Sequence, residues 1–272
     1  MANFELDNIS ADDIVIALMG ATGSGKSQFI NTATKTNCMG VGHTLRSHTS
    51  SIQTIRVPLP NDSRNRSVVF VDTPSFNNTA ARDSDGDADG ELSDERVLEM
   101  LAEWLGRSYQ NSIKLSGIIY THRITDNRMA GSPLRNLHLF EQLVGVDAIP
   151  NVVLATTMWA PNPSAAQQSL SENREAQLVQ RYWKAMLDQG SRTMRYRGTY
   201  ESAWSIVDEF LAHSTPRKLL LQRELIDEKK PLHQTRAGMA LQDVRWIVSD
   251  YRATDKHHRR LRVFERMLAV SV

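Results

Sequence analysis

Ile14-Val15-Ile16-Ala17-Leu18-Met19-Gly20-Ala21-Thr22-Gly23-Ser24-Gly25-Lys26-Ser27 is the stretch that decides the fold. Its first half is a short apolar run, the pattern of a strand buried in a parallel sheet. Its second half is a complete phosphate-binding P-loop, with Gly20, Gly25, Lys26 and Ser27 at the fixed positions. Glycines let such a loop wrap an anion with its N–H groups. Lys26 brings a mobile positive charge to the outer phosphates, and the Ser27 hydroxyl suits a Mg²⁺ ion. From Gln28 to Ala33 the chain can start a helix whose N-terminal dipole also favours phosphate. Residues Gly20 to Gln28 are therefore the expected cradle of a nucleoside triphosphate or diphosphate.

The remainder of the chain sets bounds. Its 272 residues suffice for a full core, and 32 basic against 31 acidic residues leave a net charge of +1. No specific nucleic-acid partner is expected from that balance. A single cysteine, Cys38, excludes an intramolecular disulfide and fits a reducing compartment. The first residues show no basic segment followed by an apolar one, and no apolar run approaches the roughly 20 residues that span a bilayer. Ala2 and the closing Val270-Ser271-Val272 carry no lipidation pattern. The expectation is a soluble, cytoplasmic protein.

Strand-like runs alternate with helical patterns, which predicts a three-layer α/β fold with a mainly parallel sheet. After the first strand, strands are expected at 52–59, 67–72, 115–121, 152–156 and 193–196, and helices at 92–105, 134–144, 171–187 and 200–212. Residues 1–213 would form the nucleotide-binding domain and 214–272 a C-terminal helical extension, with Pro231 breaking the latter after a helix near 218–227. Asp83 to Glu91 is an acidic loop, whose Asp85, Asp87, Asp89 and Gly90 begin a calcium-loop pattern that fails where Arg96 stands in place of the closing Glu. The tail gathers Arg252, Lys256, His257, His258, Arg259, Arg260, Arg262 and Arg266 beside an amphipathic stripe. That composition suits a solvated helix face, or weak contact with an anionic membrane or with nucleic acid.

Val68-Val69-Phe70-Val71-Asp72-Thr73-Pro74 is an apolar strand ending in a carboxylate. Beside the P-loop, Asp72 would hold Mg²⁺ through a water. Upstream, residues 42–49 lack strand or helix periodicity, and a loop there would close over the γ-phosphate with a threonine hydroxyl on the metal. Thr49 is the first choice for that role and Thr44 the second.

The order of P-loop, Ser47-His48-Thr49 segment and Val71-Asp72-Thr73-Pro74 strand resembles the septin-like GTPases. It is most similar to the GTPases of immunity-associated proteins and the related avirulence-induced group. A fungal branch of that group is matched further by Tyr120-Thr121-His122-Arg123-Ile124-Thr125-Asp126-Asn127-Arg128 and by Thr156-Thr157-Met158-Trp159. The resemblance covers roughly residues 12–213. It implies a Ras-like G domain that binds GTP or GDP with Mg²⁺ and forms a homodimer through the nucleotide face, and the departures below make slow GTP hydrolysis the expectation.

Three departures qualify that likeness. Ser75 stands where the family's sensor glycine belongs, and it keeps the N–H while restricting the backbone. Phe76 follows, where a water-orienting glutamine is common, and it can neither polarise nor place a water. Thr156-Thr157-Met158-Trp159 lacks the aspartate that pairs with guanine. Thr157 and Trp159 remain candidates at the base, with Trp159 either stacking on a purine or packed in the core. ATP is therefore not excluded.

His122 and Arg123 are expected just past a strand end, the edge where α/β folds place ligands. By the resemblance, Arg123 would act as an arginine finger in cis or in trans, or else form a surface ion pair with Asp126. His48 would orient water, or be an exposed loop histidine. Three functions stay open: a GTP-dependent switch with an unidentified protein effector, a nucleotide-bound scaffold with little turnover, and an ATPase or metabolite kinase using the same loop.

Overall fold

The computed structural model describes residues 9–37, 39, 51–59, 62–76, 92–129, 131–213 and 215–242. Residues 42–49, the acidic 83–91 and the basic tail lie outside the described residues, and so do His48, Thr44 and Thr49.

Six strands form one sheet in the order β2-β3-β1-β4-β5-β6. They are β1 (Ile14–Gly20), β2 (Gln53–Pro58), β3 (Ser67–Asp72), β4 (Leu115–Arg123), β5 (Val152–Thr157) and β6 (Arg192–Arg195). All neighbours pair in parallel except β2 with β3. Only residues 59–66 separate those two strands, too few for a crossover, so the chain turns straight back. The helices are α1 (Lys26–Thr34), α2 (Asp94–Gln110), α3 (Ser132–Val144), α4 (Ala165–Gln177), α5 (Lys184–Asp188) and α6 (Tyr200–His213). This is the α/β architecture the sequence predicts, a Ras-like P-loop G domain with a helical C-terminal part.

The period of two in β1 sorts its side chains to the two faces of the sheet. Val15, Ala17 and Met19 enter a core with α2, α3 and Trp183, whereas Ile14, Ile16 and Leu18 enter one with Phe29 of α1 and Phe210 of α6. On the second face α6 comes so close that a methyl group on Gly117 would lie 2.1 Å from the Phe210 ring. On the first, a buried Arg135–Asp94 ion pair at 2.6 Å joins α3 to the start of α2. The Ser93 side chain caps α2 by accepting from the Arg96 N–H, and Asp94 and Glu95 suit the positive end of the dipole.

Three elements differ from the sequence expectation, one of them α2, which runs on to Gln110 where an end at 105 is expected. Strand β4 runs on to Arg123, because His122 and Arg123 pair with Thr156 and Thr157 of β5. These two residues therefore close the strand rather than follow it. The helix expected at 171–187 begins earlier, at Ala165, behind a capping box in which Ser164 accepts from the Gln167 N–H and the Gln167 side chain answers. It also breaks at a π turn over Leu178–Tyr182 before α5.

After α6, a continuous helical stretch over Leu220–Gln222 and Arg223–Asp227, where the sequence predicts a helix, and a short turn at Leu232–Gln234 lead to helical residues 236–242. Leu219, Leu221, Ala237, Ala240 and Leu241 join the first-face core, and Gln222 Nε2 donates to the Leu105 carbonyl at 3.1 Å. Among the described residues no helix is long and apolar enough to cross a membrane.

Candidate functional site

The P-loop joins the C-terminal end of β1 to α1, with its Gly25 at φ 93° as the residue before the helix. No side chain caps α1, which leaves its first-turn N–H groups without a side-chain acceptor at the loop. Gly20 has φ 142°, and a methyl group there would lie 2.4 Å from the Thr121 carbonyl oxygen and 2.9 Å from Ser24 Oγ. Only glycine fits that crossing. The loop is also held from behind. Ser24 and Thr121 hydroxyls are 2.6 Å apart, and Thr157 Oγ1 donates to the Ser24 carbonyl at 2.8 Å. The Ala21 carbonyl accepts from the Ser24 N–H at 3.1 Å. Thr22 Oγ1 is buried with no hydrogen-bond partner among the described residues. Gln28, in the first turn of α1, accepts at its carbonyl from Thr32 Oγ1 at 2.8 Å.

Two pairs of side chains gather the chemistry. Ser27 Oγ donates to Asp72 Oδ2 at 2.6 Å, which brings the α1 hydroxyl and the β3 carboxylate together. A hydroxyl beside a carboxylate is a hard-oxygen donor set of the kind Mg²⁺ takes, so these residues fit the ion. Lys26 Nζ donates to the Gly20 carbonyl at 3.2 Å, the Ala21 carbonyl at 3.4 Å and Ser75 Oγ at 2.5 Å. Burial pulls the Lys26 pKa down from its ordinary value, and the Asp72 charge opposes that pull. The segment after β3 is fixed at both ends. Thr73 Oγ1 donates to the Leu18 carbonyl at 2.6 Å, and the Phe76 ring is buried in the first-face core.

At the end of β5, Thr157 reaches the P-loop while Thr156 points to the opposite side. Trp159 is buried, its Nε1 donates to Thr156 Oγ1 at 3.0 Å, and the Arg195 guanidinium covers its ring at 4.4 Å. Arg195 in turn grips Glu175. The indole is thus occupied by the protein itself, the packed arrangement rather than an open stacking face. Met158 is the exposed member of this turn, held at φ 61°, with its Cε 3.5 Å from where a Gly25 methyl would be.

Arg123 lies beside the loop, its Nη1 3.3 Å from a methyl group placed on Gly23. Its Nε is also 3.0 Å from Asp126 Oδ1, so it forms the expected ion pair. His122 is buried edge-on to Trp183 at 6.1 Å. Burial pulls its pKa down, a pull strengthened by Arg123 and countered by Asp126. These residues line a cavity of about 300 Å³ with Arg128, Arg174 and Tyr182. A larger cleft of about 810 Å³ lies away from the loop, between the end of α3 and the C-terminal turns. Several of its charges are paired, as in Arg223–Asp147 and Lys230–Glu224.

The structure therefore gathers Gly20 to Gln28, Asp72, Ser75, Thr157 and Arg123 at one end of the sheet, and turns Trp159 away into packing. Sequence reading missed Thr121 and Met158. Thr121 gave no local signal, because its partner is 97 residues away. Met158 could have been found as the residue following Thr157 at the strand end.

Comparison with known proteins agrees with this class. Residues 15–130, less than half of the chain, match the family described as 50S ribosome-binding GTPase. No curated protein matches the chain. Among solved structures, Toc33 from Arabidopsis thaliana in complex with GDP and Mg²⁺ is 13% identical, covering 69% of this chain and 72% of that one with a TM-score of 0.50. A structure reported for the chloroplast translocon components atToc33 and psToc159, for whose GTPase activity dimerization is described as important, is 12% identical. It covers 69% of this chain and 71% of that one with a TM-score of 0.52. At such identities the likeness is one of fold, that of a P-loop G domain.

Proposed function

We propose that the protein is a Mg²⁺-dependent guanine-nucleotide switch that hydrolyses GTP slowly. The observation that carries the reading is the meeting of Lys26, Ser27 and Asp72 at the mouth of a P-loop. Ser27 and Asp72 would hold Mg²⁺, which when bound neutralises charge on the phosphate oxygens. The loop amides and Lys26 would bind and orient the phosphates, and Thr157 holds the loop in the shape to do so. The complexes of Toc33 with GDP and Mg²⁺ support the choice of ligand.

Slow turnover follows from Phe76, which is locked in the core and cannot be exchanged for a water-orienting group by a small rotation. The immobilised Phe76 and the Lys26–Ser75 bond also favour a second reading, a nucleotide-bound scaffold with little turnover. Membership of the immunity-associated and avirulence-induced branch rests on the sequence resemblance. So does a homodimer through the nucleotide face. The triphosphate would order residues 43–49 and 73–90 and expose a surface for an effector, and the basic composition of the tail suits weak contact with anionic membrane. Domain dimerization in the translocon proteins supports the dimer by analogy. We place the switch in the cytoplasm, within a domain of residues 1–213 extended by 214–272.

Equilibrium binding of non-hydrolysable GTP and ATP analogues with Mg²⁺ tests the proposal. A guanine preference above about tenfold, roughly 1.4 kcal/mol, upholds it. Equal binding or an adenine preference refutes the GTP assignment and leaves an ATP-dependent or scaffold role.

A further inference from the structure

A lysine ammonium has three N–H donors, and in Lys26 each has a protein acceptor. Two acceptors, the Gly20 and Ala21 carbonyls, belong to the loop that carries the lysine. The third, Ser75 Oγ, comes from the segment after β3, 49 residues along the chain. Both side chains are nearly enclosed, with Lys26 6% and Ser75 8% exposed. Water therefore offers little replacement when the bond breaks.

The loop carbonyls cannot leave the ammonium without deforming a loop pinned by Thr121 and Thr157. A phosphate that reaches Lys26 must take the donor that Ser75 holds. We propose that the Ser75 hydroxyl is a latch on Lys26, which a nucleotide phosphate has to displace in order to bind. Displacement would be felt along residues 73–76, because Thr73 is tied to Leu18 and Phe76 to the core on either side of the latch. Glycine at this place would carry no side chain and could not compete. Ser75 is a positioning residue here, which sets the cost of entry to the loop and transmits that entry to the segment beyond β3.

The inference rests on the nucleotide-binding reading, and the test separates the two. Affinity for a non-hydrolysable GTP analogue with Mg²⁺ would be compared among the full-length wild type, Ser75→Ala and Ser75→Thr, with thermal melts to establish folding. Ser75→Ala lacks the competing hydroxyl and should bind about tenfold more tightly, a shift of about 1.4 kcal/mol. Ser75→Thr keeps the hydroxyl and should stay within about twofold of wild type, which is under 0.5 kcal/mol. Unchanged or weaker binding by Ser75→Ala, with wild type binding normally, overturns the latch alone. A gain shared equally by Ser75→Thr assigns the effect to packing and also overturns it. Absence of binding by wild type removes the nucleotide reading and the latch together.

Discussion

Ser24 and Thr121 meet hydroxyl to hydroxyl at 2.6 Å across 97 residues of chain, and so the P-loop is braced against β4 as well as threaded between β1 and α1. Thr121 Oγ1 also reaches the Met19 carbonyl at 3.2 Å. Thr121→Val keeps the shape and removes both contacts, leaving the buried Ser24 hydroxyl short of a partner. We expect a loss of about 1–3 kcal/mol in urea denaturation, together with weaker nucleotide binding. Wild-type affinity in the variant would show that the brace does not shape the loop.

Lys26 is held for a ligand at the expense of the ligand-free fold. Burial lowers its pKa, which means the charged form is disfavoured where it sits. Lys26→Met should abolish nucleotide binding yet leave the ligand-free melting temperature equal or higher. A variant that melts well below wild type contradicts this reading of the site.

The close approach of α6 to Gly117 makes a steric prediction without any polar term. Gly117→Ala should cost about 1–3 kcal/mol through collision with the Phe210 ring. Phe210→Leu should relieve part of that cost in the double variant, giving a coupling energy of about 0.5–3 kcal/mol in a double-mutant cycle. Strict additivity would place the strain elsewhere.

Asp13 should govern part of the acid stability. Burial pushes its carboxyl up, but hydrogen bonds from Arg56, the Ser10 and Ser67 amides and the Arg56 charge more than offset this, and hold it below 3.8. A depressed folded-state pKa gives stability that is present above the unfolded value and lost as pH falls through the folded one. Denaturation midpoints between pH 2 and 6 (about the carboxylate range) should therefore fall more on acidification in wild type than in Asp13→Asn. Parallel curves would remove Asp13 from the account.

Arg123 stands beside its own loop, next to Gly23. If it aids hydrolysis it does so within one chain, and Arg123→Ala should slow turnover by the same factor at high and low protein concentration. A loss confined to concentrations that support the dimer would assign the arginine to the partner's site.

The parts of the fold that announced themselves are those encoded locally. β3 starts and stops where its apolar run meets Ser67 and Asp72, and the P-loop is a backbone shape written in its glycines. Helix α4 began six residues before its expected start because none of its residues is buried, so it carries no apolar period, and only the Ser164 and Gln167 cap marks its beginning. β4 outlasted expectation because polar His122 and Arg123 are strand residues by virtue of β5, not of their own propensity. The site divided in the same way. Gly20 to Ser27 and Asp72 were legible, whereas the tie from Thr157 to Ser24 spans 133 residues and left no local trace. Trp159 could be read two ways until Arg195, from a different strand, was found on its ring.

Within the sheet of the described residues, β2 and β6 are the outermost strands, each with one backbone edge unpaired by another strand. Exposed edges invite other chains to add on. Both, however, carry charge: Arg56 in β2, which also ends on Pro58, and Arg192 with Arg195 in β6. Guanidinium groups and a proline are poor templates for a further strand. Sideways growth of the sheet into larger aggregates is thereby discouraged.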